Sequence, residues 1–372
     1  MKLFYFCMFF FGVSGLFAQS YIQTLQDAVG ADFVQPSVVS YPYDGPDNYI
    51  VAGTLVDTYG DSQIMVVKIS DNGTTLWSKY ISSIQGSFVG SLLVDKNENI
   101  VLIGYEGDNQ ASNKDLRVLK LDGQGNFLAE VLISDADLNY GLYGLDIEQT
   151  KSGDYLIVGV GFRGDAETSS KFGYVLRLQE DLLGIQWGKK YQSDATTYKY
   201  DAFNHILKVT ESFAYEDIYL LTGSGTTSDE EMMAANDLIN SSGNSLWNGA
   251  VGHRFSVDDY INPGRMALYQ KATHDFYVQS YGAENMPAII RLDNNGNGYG
   301  PVVLHNHSWG SKPDNINLIN GMRWETDQQD KIILSGYHIQ PSIPPGQAWP
   351  MLINVALSNN NTTYWVKYSS FF

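Results

Sequence analysis

Past its first nineteen residues the chain has no cysteine, no apolar run of membrane-spanning length and a shortage of basic side chains. Each absence excludes something. The single cysteine, Cys7, sits inside the N-terminal apolar stretch, so the remaining chain forms no disulfide and its stability rests on burial. A membrane-crossing helix needs about twenty apolar residues, and only the segment from Leu3 to Ala18 approaches that. Preceded by Lys2, this segment reads instead as a signal peptide over residues 1–19, cleaved near Ala18. The expectation is a secreted or periplasmic protein with no membrane span. Lysine and arginine number 23 against 41 aspartates and glutamates, a formal net charge of −18. Such a surface repels phosphate backbones, so nucleic acid is excluded as a partner.

What is present in abundance suits strands and tight turns. There are 36 glycines and 25 tyrosines, a composition of pleated surface and sharp corners. Three anchors recur in fixed order. The first is a short apolar strand: Val34 to Val39, Phe88 to Val94, Leu142 to Ile147, Phe203 to Val209, Met266 to Tyr269 and Ile319 to Trp324. The second is an apolar run ending at Gly53, Gly104, Gly159, Gly223 and Gly336, with Ser280 in the fifth copy. The third is a strand, a tight turn carrying Gly73, Gly125, Gly243 or Gly296, and an aromatic strand marked by Trp77, Trp187, Trp247 or Trp365.

The repeat recurs about every 57 residues, which suits a four-stranded blade and is longer than most solenoid repeats. Units start near residues 31, 86, 139, 201, 259 and 314. One such sheet buries little alone, but sheets packed face to face around an axis cover one another. The fold predicted is therefore all-β: a β-propeller of about six four-stranded blades, forming a single domain over residues 20–372. The tryptophans are expected on the outermost strands, wedged between neighbouring blades. Tyr21 to Leu25 either latches the last blade or begins a seventh, incomplete one.

With these anchors in hand, the units resemble the secreted repeat propellers of Gram-negative bacteria. Those repeats carry a Lys-x-Asp strand, a glycine and then Trp-x-Lys-x-Tyr. The best copy here has Lys68, Asp71, Gly73, Trp77, Lys79 and Tyr80, and the last has Trp365, Lys367 and Tyr368. The resemblance spans nearly the whole chain after residue 19 and implies fold rather than activity. Quinoprotein and sialidase-type signatures do not fit: the first lacks its Ala-x-Asp-x-x-Thr lead-in, and Ser70 to Trp77 has the wrong offsets for the second.

Long connections after the second and fourth strands share one face, where propellers usually bind things. A ring of small polar residues stands at the entry of each innermost strand: Asp32, Ser87, Asn139, Asp201, Asp259 and Asp314. Asp32, Asp201, Asp259 and Asp314 could hold calcium, which takes six to eight oxygen ligands; the bland reading is that each caps local backbone amides. Acidic and aromatic residues share the loops: Asp229 to Glu231, Glu106 with Asp108, Asp165 with Glu167, and Tyr198, Tyr200, Tyr260 and Trp309, with His305 and His307 beside Trp309. Aromatic faces beside carboxylates suit a neutral glycan. Asp293 to Gly298 imitates half of a calcium-binding EF-hand loop but coincides with the repeat's own turn.

The ligand-binding candidates are therefore Tyr200, Asp201, Asp259, Tyr260, His305, His307, Trp309 and Asp314. No cofactor is expected, with calcium the one candidate ion. The reading is a monomeric, non-enzymatic binding or scaffold protein that engages an extracellular or periplasmic protein or glycan through its long-loop face. The alternative is a carbohydrate-active hydrolase or lyase using carboxylates or His205 near a central channel.

Overall fold

The structure is a computed structural model that describes residues 32–43, 48–56, 61–71, 73–82, 86–107, 114–134, 140–163, 170–191, 198–209, 217–227, 232–247, 251–253, 262–281, 287–303, 316–325, 329, 331–339, 349–356 and 363–368. Among these residues every regular element is a β-strand, and no helix is long and apolar enough to cross a membrane. Residues 1–19, read above as a signal peptide, together with Tyr21 to Leu25 and Asn139, lie outside the described residues.

Among the described residues twenty-four strands form six four-stranded antiparallel sheets, each taking its strands in chain order. Blade one holds β1 (Asp32–Tyr41), β2 (Asn48–Val56), β3 (Ser62–Ile69) and β4 (Thr75–Ser82). Blade two holds β5 (Ser87–Val94), β6 (Ile100–Glu106), β7 (Asp115–Leu121) and β8 (Phe127–Ile133). Blade three holds β9 (Tyr140–Gln149), β10 (Tyr155–Arg163), β11 (Ser170–Leu178) and β12 (Ile185–Tyr191). Blade four holds β13 (Tyr198–Val209), β14 (Ile218–Thr227), β15 (Met232–Asn240) and β16 (Val251–His253). Blade five holds β17 (Asn262–Gln270), β18 (Asp275–Tyr281), β19 (Pro287–Leu292) and β20 (Gly298–Val303). Blade six holds β21 (Ile316–Trp324), β22 (Lys331–Ile339), β23 (Trp349–Ala356) and β24 (Thr363–Tyr368).

The sequence pattern explains the layering. Second and third strands are near-continuous apolar runs because both faces are covered: all of β3 but Gln63 is buried. Fourth strands alternate exposed and half-buried positions along β4, β8 and β12, as rim strands with one face to water must. Contacts divide the chain into two compact units, the break falling inside blade three. The first runs to Lys171 and adds Val175–Gly188; the second takes Phe172–Tyr174 and everything from Lys189. In the first unit Ile50, Ala52, Ile64 and Val66 pack against Val89, Ile100, Leu102 and Leu119 of blade two. In the second, Leu220, Ala234 and Leu238 pack against Ala267, Val278 and Ile290 of blade five.

The rim turn between third and fourth strands is the most regular device. Its first carbonyl accepts from the N–H of the fourth turn residue, and its first N–H donates to the fifth carbonyl, as in Asp122 to Asn126 and Asp293 to Asn297. The fourth position is left-handed, with φ of 83° at Gly73, 77° at Gly125, 73° at Gly243 and 80° at Gly296. This is a type I turn closed by a bulge, and glycine takes that φ at no steric cost. Asp293 Oδ1 accepts from the N–H groups of Asn295 and Asn297, so the calcium-loop look-alike serves its own turn.

The rim turns of blades two to five are each gripped by the preceding blade. A Cβ placed on Gly125 would lie 3.0 Å from the Trp77 ring and from Lys79 Cγ, which shows how closely both side chains cover the turn. Lys68, 2% exposed, lies 3.8 Å from the Tyr41 ring centre and donates to the Gly123 carbonyl at 3.4 Å. Lys120 repeats the reach, donating to the Glu180 carbonyl at 3.1 Å. In blade four Leu238 replaces the lysine, and Trp247 donates to Asn294 instead. Trp77 and Trp187 lie on fourth strands; Trp247 precedes β16, which forms only from Val251.

Candidate functional site

The residues nominated from sequence are only partly brought into view. Asp259, Tyr260, Asp314, His305, His307 and Trp309 lie outside the described residues, as do Asp108, Asp165, Glu167 and Asp229 to Glu231. Asp32 opens β1, pairing with Val56, and Tyr200 pairs with Gly225. Asp201 sits where the register of β13 shifts between Tyr200 and Ala202, and its Oδ2 accepts a hydrogen bond from Thr226 Oγ1. Ser87, at the equivalent strand entry of blade two, is fully buried; its Oγ accepts from Arg117 and its N–H donates to Ser62 Oγ at 3.0 Å. The side chains of Asp201 and Ser87 thus bond to neighbouring protein groups. Among the described residues no group of three or more His, Cys, Asp or Glu side chains could hold a metal ion.

Around Ser87 a charged cluster closes the end of blade two. Arg117 is 5% exposed, with Nε 2.6 Å from Glu130 Oε1 and 3.7 Å from Glu106 Oε2. Asp115 stands opposite Glu106, and burial raises its pKa. On the innermost strands Ser91 of β5 donates to Asp146 Oδ1 of β9 at 2.9 Å, a cross-blade link that the strand-entry ring did not anticipate.

The most organised feature at this end is aromatic. Phe88 of β5 stacks on Tyr105 of β6 with centroids 4.7 Å apart and planes 16° apart. Tyr105 stacks on Tyr143 of β9 at 4.3 Å and 16°, and Tyr143 meets Phe162 of β10 at 4.6 Å and 50°. Four rings therefore run from blade two to blade three within the first unit. Lys114, just before β7, holds its ammonium 4.4 Å from the Tyr105 centroid and 4.8 Å from that of Tyr143, an attractive placement over both rings. Its carbonyl accepts from the Leu142 N–H at 2.8 Å, tying the loop to β9. Tyr105, Tyr143 and Phe162 are half-buried. Burial pushes the Tyr143 phenol up to about 12 and raises that of Tyr105 further, with Tyr143 adding to the effect. Both hydroxyls stay neutral and can donate. Sequence reasoning missed this ladder. Its signal was an aromatic directly after the anchor glycine, Gly104-Tyr105, together with Phe88 and Tyr143 near the start of the first strands.

No protein-family model matches the chain, and no curated protein sequence matches it. Among solved structures, a protein of unknown function from Dyadobacter fermentans DSM 18053 aligns with 14% identity and a TM-score of 0.51, over 84% of this chain and 92% of that one. The fold is a β-propeller. The Dos1 propeller aligns over 93% of this chain and 84% of its own at 9% identity and a TM-score of 0.46. Endo-arabinase from Bacteroides thetaiotaomicron VPI-5482 aligns over 72% and 92% at 15% identity and a TM-score of 0.38. Likeness at these identities concerns the propeller scaffold and transfers no activity.

Proposed function

We propose that this propeller is a non-enzymatic binding protein that engages a neutral glycan at the loop end of its second and third blades. The aromatic ladder carries the reading. Half-buried ring edges and neutral phenol hydroxyls offer apolar and hydrogen-bonding surface side by side, the combination a sugar's CH patches and hydroxyls require. The formal charge of −18 disfavours acidic saccharides and anionic surfaces. A signal peptide over residues 1–19 accords with a partner outside the cytoplasm.

The test is glycan-array binding by the full chain, with calcium and with EDTA, beside a Tyr143→Ala variant checked for fold by circular dichroism. Binding of a defined neutral sugar, weakened about tenfold or more in the variant, is expected. Silence in every arm, or binding indifferent to the substitution, overturns the reading. Binding lost only with EDTA shifts the site toward Asp201 and a calcium-dependent mode.

A further inference from the structure

The residue preceding the repeat's anchor position is apolar in the first three blades, Ala52, Ile103 and Val158. It is polar in the last three, Thr222, Gln279 and Ser335. In blade four the substitution extends across the sheet. Thr222 of β14 stands directly opposite His205 of β13 and Asn236 of β15. The corresponding pairs in blades one and two are Ala52 with Val66 and Ile103 with Val118.

Directly opposed residues on neighbouring strands share a face, so Thr222 and Asn236 join Leu220, Ala234 and Leu238. That face packs against Ala267, Val278 and Ile290 of blade five. Ser280, where the other five blades have glycine, shares by alternation the face of Val278 that meets blade four. Three departures from the repeat therefore fall in one seam of the second unit.

Thr222 and Asn236 are both 0% exposed. Among the described residues, Thr222 Oγ1 and both amide atoms of Asn236 have no hydrogen-bond partner. Native proteins pair nearly all buried polar atoms, because leaving one unpaired is strongly destabilising. The three atoms are an acceptor, a donor and a hydroxyl that can act as either. A divalent cation takes six to eight oxygen ligands, and the Nδ2 donor opposes it. A water molecule donates two hydrogen bonds, accepts two, and in buried sites typically makes about three.

We propose that Thr222 and Asn236 bind one ordered water molecule in the seam between blades four and five. Gln279 occupies the same row one blade later, 0% exposed, with Oε1 unpartnered among the described residues and Nε2 donating to the Ser280 carbonyl at 3.0 Å. Blades four and five thus carry buried, unpartnered polar atoms in a row that is apolar in the first three.

A high-resolution crystal structure of the full chain tests this. A solvent peak within hydrogen-bond distance of Thr222 Oγ1 and the Asn236 amide is expected. No peak, or a peak at the shorter distances of a bound cation, overturns it. A Thr222→Val/Asn236→Leu variant restores the apolar pairing of the first blades and is expected to lose the peak and melt at a higher temperature. The single Thr222→Val variant, nearly isosteric, provides a milder check. A double variant that keeps the peak overturns the assignment.

Discussion

Trp247 donates its indole N–H to the carbonyl of Asn294 at 2.9 Å, fastening the end of one blade to the rim turn of the next. The same ring covers Gly296, whose added Cβ would stand 2.9 Å from it. Trp247→Phe keeps most of the packing and loses the hydrogen bond, an expected cost of about 1 kcal/mol. Gly296→Ala meets both the ring and a φ of 80°, and the backbone conformation alone costs roughly 1–3 kcal/mol. Urea denaturation should rank Gly296→Ala below Trp247→Phe, and the opposite order would show that the turn is not held by this contact.

Lys120 is predicted to be the most sensitive cation in the first unit. It lies 3.1 Å from Asp95 Oδ2, whose carboxylate is 0% exposed and also accepts from the Tyr155 hydroxyl at 2.8 Å. Burial pushes the Asp95 pKa upward, but hydrogen bonds from Asn99, Tyr155 and Lys120 more than offset it and hold the group below the usual carboxylate range. The stabilisation from Asp95 is present at neutral pH and fades as pH falls through that depressed value. Lys120→Met strands a buried charge, with an expected loss of about 3–5 kcal/mol. Unfolding followed from pH 7 downward should start at a higher pH in the variant; an unchanged acid limb would refute the coupling.

Asp237 predicts the reverse pH dependence. It is fully buried on β15, at the rim-turn offset that Val67, Leu119, Leu176 and Ile290 occupy in other blades. Its Oδ1 accepts from Ser245 Oγ at 2.7 Å, and Oδ2 has no partner among the described residues. Burial pushes its pKa up to about 6, against hydrogen bonds from Ser245 and the Leu238 backbone and the nearby Lys189 charge. A folded-state pKa above the unfolded value means the protonated form favours folding. The benefit is present at low pH and lost as pH rises through about 6. Asp237→Asn should raise stability at pH 7.5, on the order of 3 kcal/mol if the shift is fully expressed, with little change near pH 4. Equal effects at both pH values would contradict a protonated carboxyl.

The fold was legible because its signals are local. An anchor glycine, a turn glycine and a tryptophan recur in order, and each marks a strand end or a corner that exists before any blade meets another. Trp77 against Gly125 shows that the blade-to-blade wedge could be read as well. The site was not legible for the opposite reason. Phe88, Tyr105, Tyr143 and Phe162 come from two blades and only become a ladder once those blades pack. Asp201 looked like a free ligand oxygen, but in sequence nothing pairs it with Thr226, which lies on the next strand. Thr222 and Asn236 drew no notice in the sequence, because nothing local separates a polar residue on a strand covered on both faces from one that faces water.

The grips on the rim turns all point the same way along the chain. Lys68 and Trp77 of blade one hold the turn of blade two, Lys120 of blade two that of blade three, Lys189 the Gly243 carbonyl of blade four, and Trp247 of blade four that of blade five. The array is therefore polar, like a row of hooks that each close on what comes after. A chain emerging from a ribosome N-terminus first presents its hooks before the turns they hold, so each new blade arrives at a neighbour already able to receive it.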